Sequence, residues 1–138
     1  MDIKYPAFIE SQEPSSFFVR FVDLEDTFTE GATKEEALFN ASEVLSAMLC
    51  WRIDNDKPTP EPSLNVAGAI YIAPNARTQA ALLVRRFRGD RSLADIARVL
   101  ETSWPSAQRL EDPHHWPSLK QLEKAAAATG RRLILSFE

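Results

Sequence analysis

The stretch Ser92–Leu110, SLADIARVLETSWPSAQRL, decides how the second half of the chain folds. Small or apolar side chains fall at Leu93, Ile96, Ala97, Leu100, Ala107 and Leu110. Polar ones fall at Asp95, Arg98, Glu101, Gln108 and Arg109, which is the spacing of helices with one inner face. Ser92 followed by Asp95 is a capping-box-like start: the hydroxyl accepts from a free backbone N–H of the first turn and the carboxylate reaches back. Ser103 caps a second helix in the same way, and Pro105 fits just inside that start, where its missing N–H has no intrahelical partner to lose. Ala97 lets the second helix cross closely over the first.

Two short helices meeting across a tight turn form the helix-turn-helix pattern, whose second helix lies in the DNA major groove. On that reading Trp104, Pro105, Ser106, Gln108 and Arg109 lie at the start and on the outward face of the second helix, and Ser103 faces phosphate. Gln108 has the geometry to pair with adenine and Arg109 with guanine. Lys120, Arg91 and Arg131 are further phosphate candidates. Two plainer alternatives stand: Arg109 held in an ion pair within its own domain, and Trp104 packed in the core.

The 138 residues suffice for one ordinary domain or two small ones, and 44% hydrophobic with 26% charged content is globular. No apolar run approaches the roughly 18 to 20 residues of a membrane span, and the N-terminus has no signal-peptide core, so a cytoplasmic protein is expected. Cys50 is the only cysteine and reads as a structural thiol on an apolar helix face. The net charge of −4 hides an asymmetry. Residues 1–65 hold 5 Lys/Arg against 13 Asp/Glu, net −8, and residues 66–138 hold 11 against 7, net +4. An acidic half attracts a basic partner, whereas a basic half neutralises phosphates.

Upstream, Ile3–Glu10 and Ser16–Asp23 are rich in aromatic and β-branched residues and read as a β-hairpin around the turn formers SQEPS. Phe17, Val19 and Phe21 form its apolar face. Thr27–Glu30 is a short third strand, closed by Gly31. Thr33 and Glu36 open the longest helix, with Ala37, Leu38, Ala41, Val44, Leu45, Met48 and Leu49 at helical spacing. Glu35 and Glu36 suit its dipole. The proline-rich Lys57–Ser63 is extended, and Val66–Ala73 is a fourth strand returning to the sheet. The domain boundary then falls near Pro74. A helix over Asn75–Arg88, with Ala80, Leu83, Val84 and Phe87 on one stripe, precedes the central pair. A helix over Ser118–Thr129 and a terminal strand, Arg131–Glu138, follow it.

The order YPAFIE, then FFVRFVDLEDTFTEGATKEEALFNASEVL, then PTPEPS resembles the HicB antitoxins: a strand pair ending in Asp-Leu, a Thr-x-Gly turn, a Glu-Glu-Ala helix start and a late Pro-x-Pro-Ser. Glu25-Asp26-Thr27 stands where many relatives have a Pro-Gly-Cys-type turn. The stretches DIARVLETSWPSAQRLEDP and PSLKQLEKAAAATG resemble the Cro/repressor-like helix-turn-helix, with Ile96, Ala97, Leu100, Ala107 and Leu110, then Leu119, Leu122, Ala125 and Ala126, at its buried positions. Glu101 replaces the usual turn glycine, and Leu93 a polar residue.

The resemblance implies an α+β chain with two domains. Residues 1–73 would be a small, partial RNase H-like sheet-plus-helix domain that binds and blocks a HicA-type toxin, an mRNA-cleaving ribonuclease. Residues 74–138 would be an all-helical helix-turn-helix domain with a terminal strand, binding operator double-stranded DNA and repressing its own operon. The acidic half suits a basic, RNA-binding partner, and Asp23, Glu25, Asp26 and Glu30, clustered at the strand end, are the expected toxin contacts. One reading helix makes few contacts, so a homodimer or higher oligomer is expected, reading half-sites about 34 Å apart. Arg131–Glu138 is the candidate for pairing across the two-fold axis.

An RNase H-like fold can also hold catalytic metal, but that needs acids on central strands. The first strand has none before Glu10 and Val66–Ala73 has none at all. His114 and His115 sit in a proline-flanked loop without a nearby cysteine or carboxylate pair. No enzyme activity, metal or cofactor is expected. The competing function is a stand-alone transcriptional regulator whose N-terminal domain senses a small ligand.

Overall fold

The computed structural model describes residues 2–12 and 14–138; Glu13, in the expected hairpin turn, lies outside the described residues. The chain is mixed α+β and divides into two compact units, Met1–Asn75 and Ala76–Glu138.

The first unit is a four-stranded antiparallel sheet covered by one long helix. Strands β1 (Tyr5–Gln12), β2 (Ser16–Phe21), β3 (Phe28–Gly31) and β4 (Ile70–Ile72) lie in the order β3-β2-β1-β4. The register pairs Ala7 with Phe21 and Ile9 with Val19, then Val19 with Thr29, and on the other side Tyr5 with Ile72. Because side chains alternate along a strand, Tyr5, Ala7, Val19, Phe21 and Ile72 share one face, and all are buried. Helix α1 (Lys34–Asp54) packs on that face through Ala37, Ala41, Leu45, Leu49 and Ile53. Thr33 caps it, accepting from the Glu36 N–H at 3.1 Å, as the Thr33–Glu36 spacing predicts. Gly31 has a steric reason as well as a turn to make: a Cβ there would lie 2.5 Å from the Ala37 nitrogen, so the end of β3 touches the helix backbone.

The proline-rich stretch is extended, and the sheet unit binds it at three points. The Tyr5 hydroxyl donates to the Pro60 carbonyl at 2.6 Å, Arg52 Nη1 donates to the Pro58 carbonyl at 3.0 Å, and Ser63 is held by Asp23. The fourth strand is shorter than the Val66–Ala73 expected, because Gly68 sits at φ +77° in a turn that delays pairing until Ile70.

The second unit contains α2 (Ala76–Arg88), α3 (Leu93–Val99), α4 (Trp104–Arg109) and α5 (Leu119–Ala128). Ser92, Ser103 and Ser118 cap the last three, and Ser118 with Gln121 makes a complete capping box. Val84, Leu110 and Ala125 form a core with Leu100 and Leu122 packed against it, and Ile96, Ala97 and Ala107 are buried nearby in sequence. Two expectations for this unit are corrected. Leu119 is 62% exposed, because it lies in the first turn of α5, ahead of the part of the helix that meets the core. The terminal strand is not formed: residues 131–138 carry no strand, since a strand exists only as a hydrogen-bonded ladder and none of the described residues supplies the second row. Ile134, Leu135 and Phe137 are left exposed. No described helix is long and apolar enough to cross a membrane.

Candidate functional site

The four acids expected to gather at the strand end have different roles. The Asp23 carboxylate accepts from the Ser63 N–H at 2.9 Å and from the Ser63 hydroxyl at 2.5 Å, so it pins the proline-rich belt. Glu25 and Asp26 are exposed in the β2–β3 turn, where Asp26 Oδ1 accepts from the Thr27 hydroxyl at 3.5 Å. With Val22, Asp23 and Arg52 they line a shallow polar concavity. Glu30 is exposed on β3; its backbone carbonyl, not its carboxylate, is bonded by Asn40 Nδ2 at 2.9 Å.

The other face of the same sheet bears a group of residues that the sequence reading did not single out. The register places Phe8, Glu10, Phe18, Arg20, Phe28, Glu30 and Tyr71 opposite the helix-covered side. The Phe18 and Phe28 rings lie 5.8 Å apart at 38°. The Arg20 guanidinium sits 4.9 Å from the centre of the Phe8 ring and 3.5 Å from the Glu10 carboxylate. Phe28 is 56% exposed. The signal was available in β2, where Phe18 and Arg20 alternate with the core residues Val19 and Phe21.

In the second unit, α3 and α4 meet across a turn whose Glu101 has φ +54°. This is the position where the resemblance expects glycine. Ser103 Oγ accepts from the Ser106 N–H at 3.3 Å and lies 2.9 Å from Ser106 Oγ, while Pro105 occupies the first turn. Trp104 is 47% exposed, so of the two readings left open for it the core one fails. Arg109 Nε donates to the Pro105 carbonyl at 3.4 Å, and among the described residues its guanidinium pairs with no carboxylate. Gln108 is exposed beside it.

Of the further phosphate candidates, Lys120 is exposed in the first turn of α5. Arg91 donates to the Ala128 carbonyl at 3.2 Å and the Phe87 carbonyl at 3.3 Å, joining the ends of two helices. Arg131 stacks 4.7 Å over Phe87. In the loop before α5, the His114 N–H donates to Asp112 Oδ1 at 2.8 Å, a turn-forming bond.

Comparison with known proteins places a family match largely on the first unit. Residues 4–79 match the family model described as a HicB-like antitoxin of bacterial toxin-antitoxin systems. Antitoxin HicB 1 of Photorhabdus laumondii subsp. laumondii is 29% identical over 141 residues, covering 99% of this chain and 88% of that protein. Antitoxin HicB of Pseudomonas fluorescens (strain Pf0-1) is 27% identical over 130 residues, covering 92% and 89%. Antitoxin HicB of Escherichia coli (strain K12) is 25% identical over 135 residues, covering 96% and 98%. With more than half of its length matched by the family model, the chain belongs to the HicB-like antitoxin family of bacterial toxin-antitoxin systems.

Proposed function

We propose that the chain is the antitoxin of a type II toxin-antitoxin pair. In this reading residues 1–73, a partial RNase H-like domain, neutralise a HicA-type mRNA-cleaving toxin. Residues 74–138, a helix-turn-helix domain of the Cro/repressor kind, bind operator DNA and repress the operon. The protein is a binding module, not an enzyme. The observation that carries this is the division of charge between the two compact units. Residues 66–75 add no charged side chain, so the first unit holds the −8 and the second the +4. A basic, RNA-binding toxin is complementary to the first, and DNA phosphates to the second.

The reader of the DNA is α4. Ser103 and Lys120 contact phosphate, and Trp104, Pro105, Ser106, Gln108 and Arg109 approach the bases. The exposure of Trp104, Gln108 and Arg109 supports this. A six-residue helix makes few contacts, so two copies act together. The exposed apolar segment ending in Phe137 supports pairing between copies. A chain truncated after Gly130 is then monomeric by sedimentation, and a truncated dimer contradicts that assignment. Co-expression of the full chain with a tagged HicA-type toxin tests the main reading: the two copurify in a stoichiometric complex, and recovery of the toxin alone refutes it.

A further inference from the structure

The sheet of the first unit has one face covered by α1, and its other face is aromatic, with Phe28 56% and Tyr71 38% exposed. Antiparallel sheets commonly present a polar second face to water. Here Phe8, Phe18, Phe28 and Tyr71 contribute an aromatic side chain from each of the four strands. The Phe18–Phe28 ring pair lies across β2 and β3, at one edge of the sheet, and Phe28 is more than half exposed. Phe28 opens β3, with Glu30 two residues along the strand and Asp26 two residues before it in the β2–β3 turn. Both carboxylates are exposed.

We infer that this outer face is the surface on which the basic toxin docks, with Phe28 as the central anchor and Asp26 and Glu30 as its charged frame. This rests on the antitoxin reading and names where that contact is made. The face contains a small example of the chemistry required. Arg20 lies over the Phe8 ring and beside the Glu10 carboxylate at once, satisfying its charge on a carboxylate and its flat surface on a ring. Phe28, paired with Arg20 across the β2–β3 register and 56% exposed, with the exposed Glu30 two residues further along β3, presents a ring and a carboxylate to a partner. Lysine or arginine side chains of that partner meet both. A unit of net −8 favours a basic occupant over a second copy of itself, because two such faces brought together repel. Aromatic residues are over-represented among the positions that dominate binding energy at protein interfaces.

The test is calorimetric titration and association kinetics of the full chain against a catalytically inactive form of a HicA-type toxin. Phe28→Ala is expected to weaken binding by about tenfold or more. Glu30→Gln is expected to slow association at low salt, with the difference closing as salt is raised. Trp51→Ala, which removes an exposed aromatic from α1, changes affinity by less than about twofold. Unchanged thermal unfolding of each variant shows that the sheet is intact. If wild type binds and Phe28→Ala binds equally well, the docking face is wrong and the antitoxin reading stands. If Phe28→Ala abolishes self-association by light scattering and leaves toxin affinity intact, a second copy covers this face and the inference fails. If wild type does not bind the toxin at all, the antitoxin reading fails and this inference with it.

Discussion

Arg88, in the last turn of α2, grips Glu111, just beyond α4, with two hydrogen bonds: Nε to Oε2 at 2.5 Å and Nη2 to Oε1 at 3.0 Å. Glu111 is 5% exposed, and Arg88 also donates to the Arg91 carbonyl at 2.8 Å. The hydrogen bond to Glu111 raises the Arg88 pKa above its ordinary value, against the opposing effect of burial. A raised cationic pKa adds stability that is complete below the unfolded-state value and lost only as pH climbs through the folded one. The window therefore lies in strong base, and Arg88 protonation contributes no pH dependence near neutrality.

Removing one partner is a different matter, because it leaves the other charge buried and alone. Arg88→Ala is expected to cost about 3 kcal/mol in unfolding free energy, and Arg88→Met with Glu111→Met to recover much of it. Urea denaturation of the three proteins checks this; equal losses in single and double variants would contradict the pairing.

Asp23 looks in the sequence like one acid of a patch, and in the structure it is the clasp of the proline-rich belt. Asp23→Ala removes two bonds to one serine and should destabilise the first unit by about 1.5 to 3 kcal/mol, whereas Glu25→Ala leaves stability within about 0.5 kcal/mol. Thermal unfolding separates them. A larger loss for Glu25→Ala would show that the roles are reversed.

Glu101 occupies left-handed backbone at φ +54°, a conformation that costs a side-chain-bearing residue roughly 1 to 2 kcal/mol. Glycine relieves this but has more freedom to lose on folding, about 0.5 to 1 kcal/mol. Glu101→Gly should thus stabilise the second unit by about 0.5 to 1 kcal/mol. A lower denaturant midpoint for this variant would contradict the strain.

Arg109→Ala should weaken operator binding by about 1 to 3 kcal/mol and leave toxin affinity unchanged, since the two jobs are assigned to separate units. Gel-shift titration at fixed salt measures the first and calorimetry the second. Unchanged operator affinity would remove Arg109 from the reading set.

What was legible in the sequence was what local chemistry decides. Ser92, Ser103 and Thr33 announce helix starts because an N-cap satisfies backbone groups within three residues of itself. Strand alternation placed Val19 and Phe21 in the core for the same reason of short range. Non-local pairing was not legible. The Asp23–Ser63 bonds span 40 residues, and the aromatic outer face exists only because register aligns Phe18 with Glu30 and Arg20 with Phe28. Helix α2 buries Ala81 and Leu82 while Leu83 and Phe87 of the expected stripe are only half-buried, since packing partners, not periodicity alone, choose the face. The terminal strand failed because its pairing partner cannot be read from the chain itself.

Silencing of a toxin by this protein is read in the growth of a host. A host carrying an inducible HicA-type toxin stops dividing on induction. Co-induced full-length chain is predicted to restore growth, and Arg109→Ala to restore it equally, because neutralisation is assigned to the first unit. Continued arrest with the chain present at matching levels would contradict neutralisation.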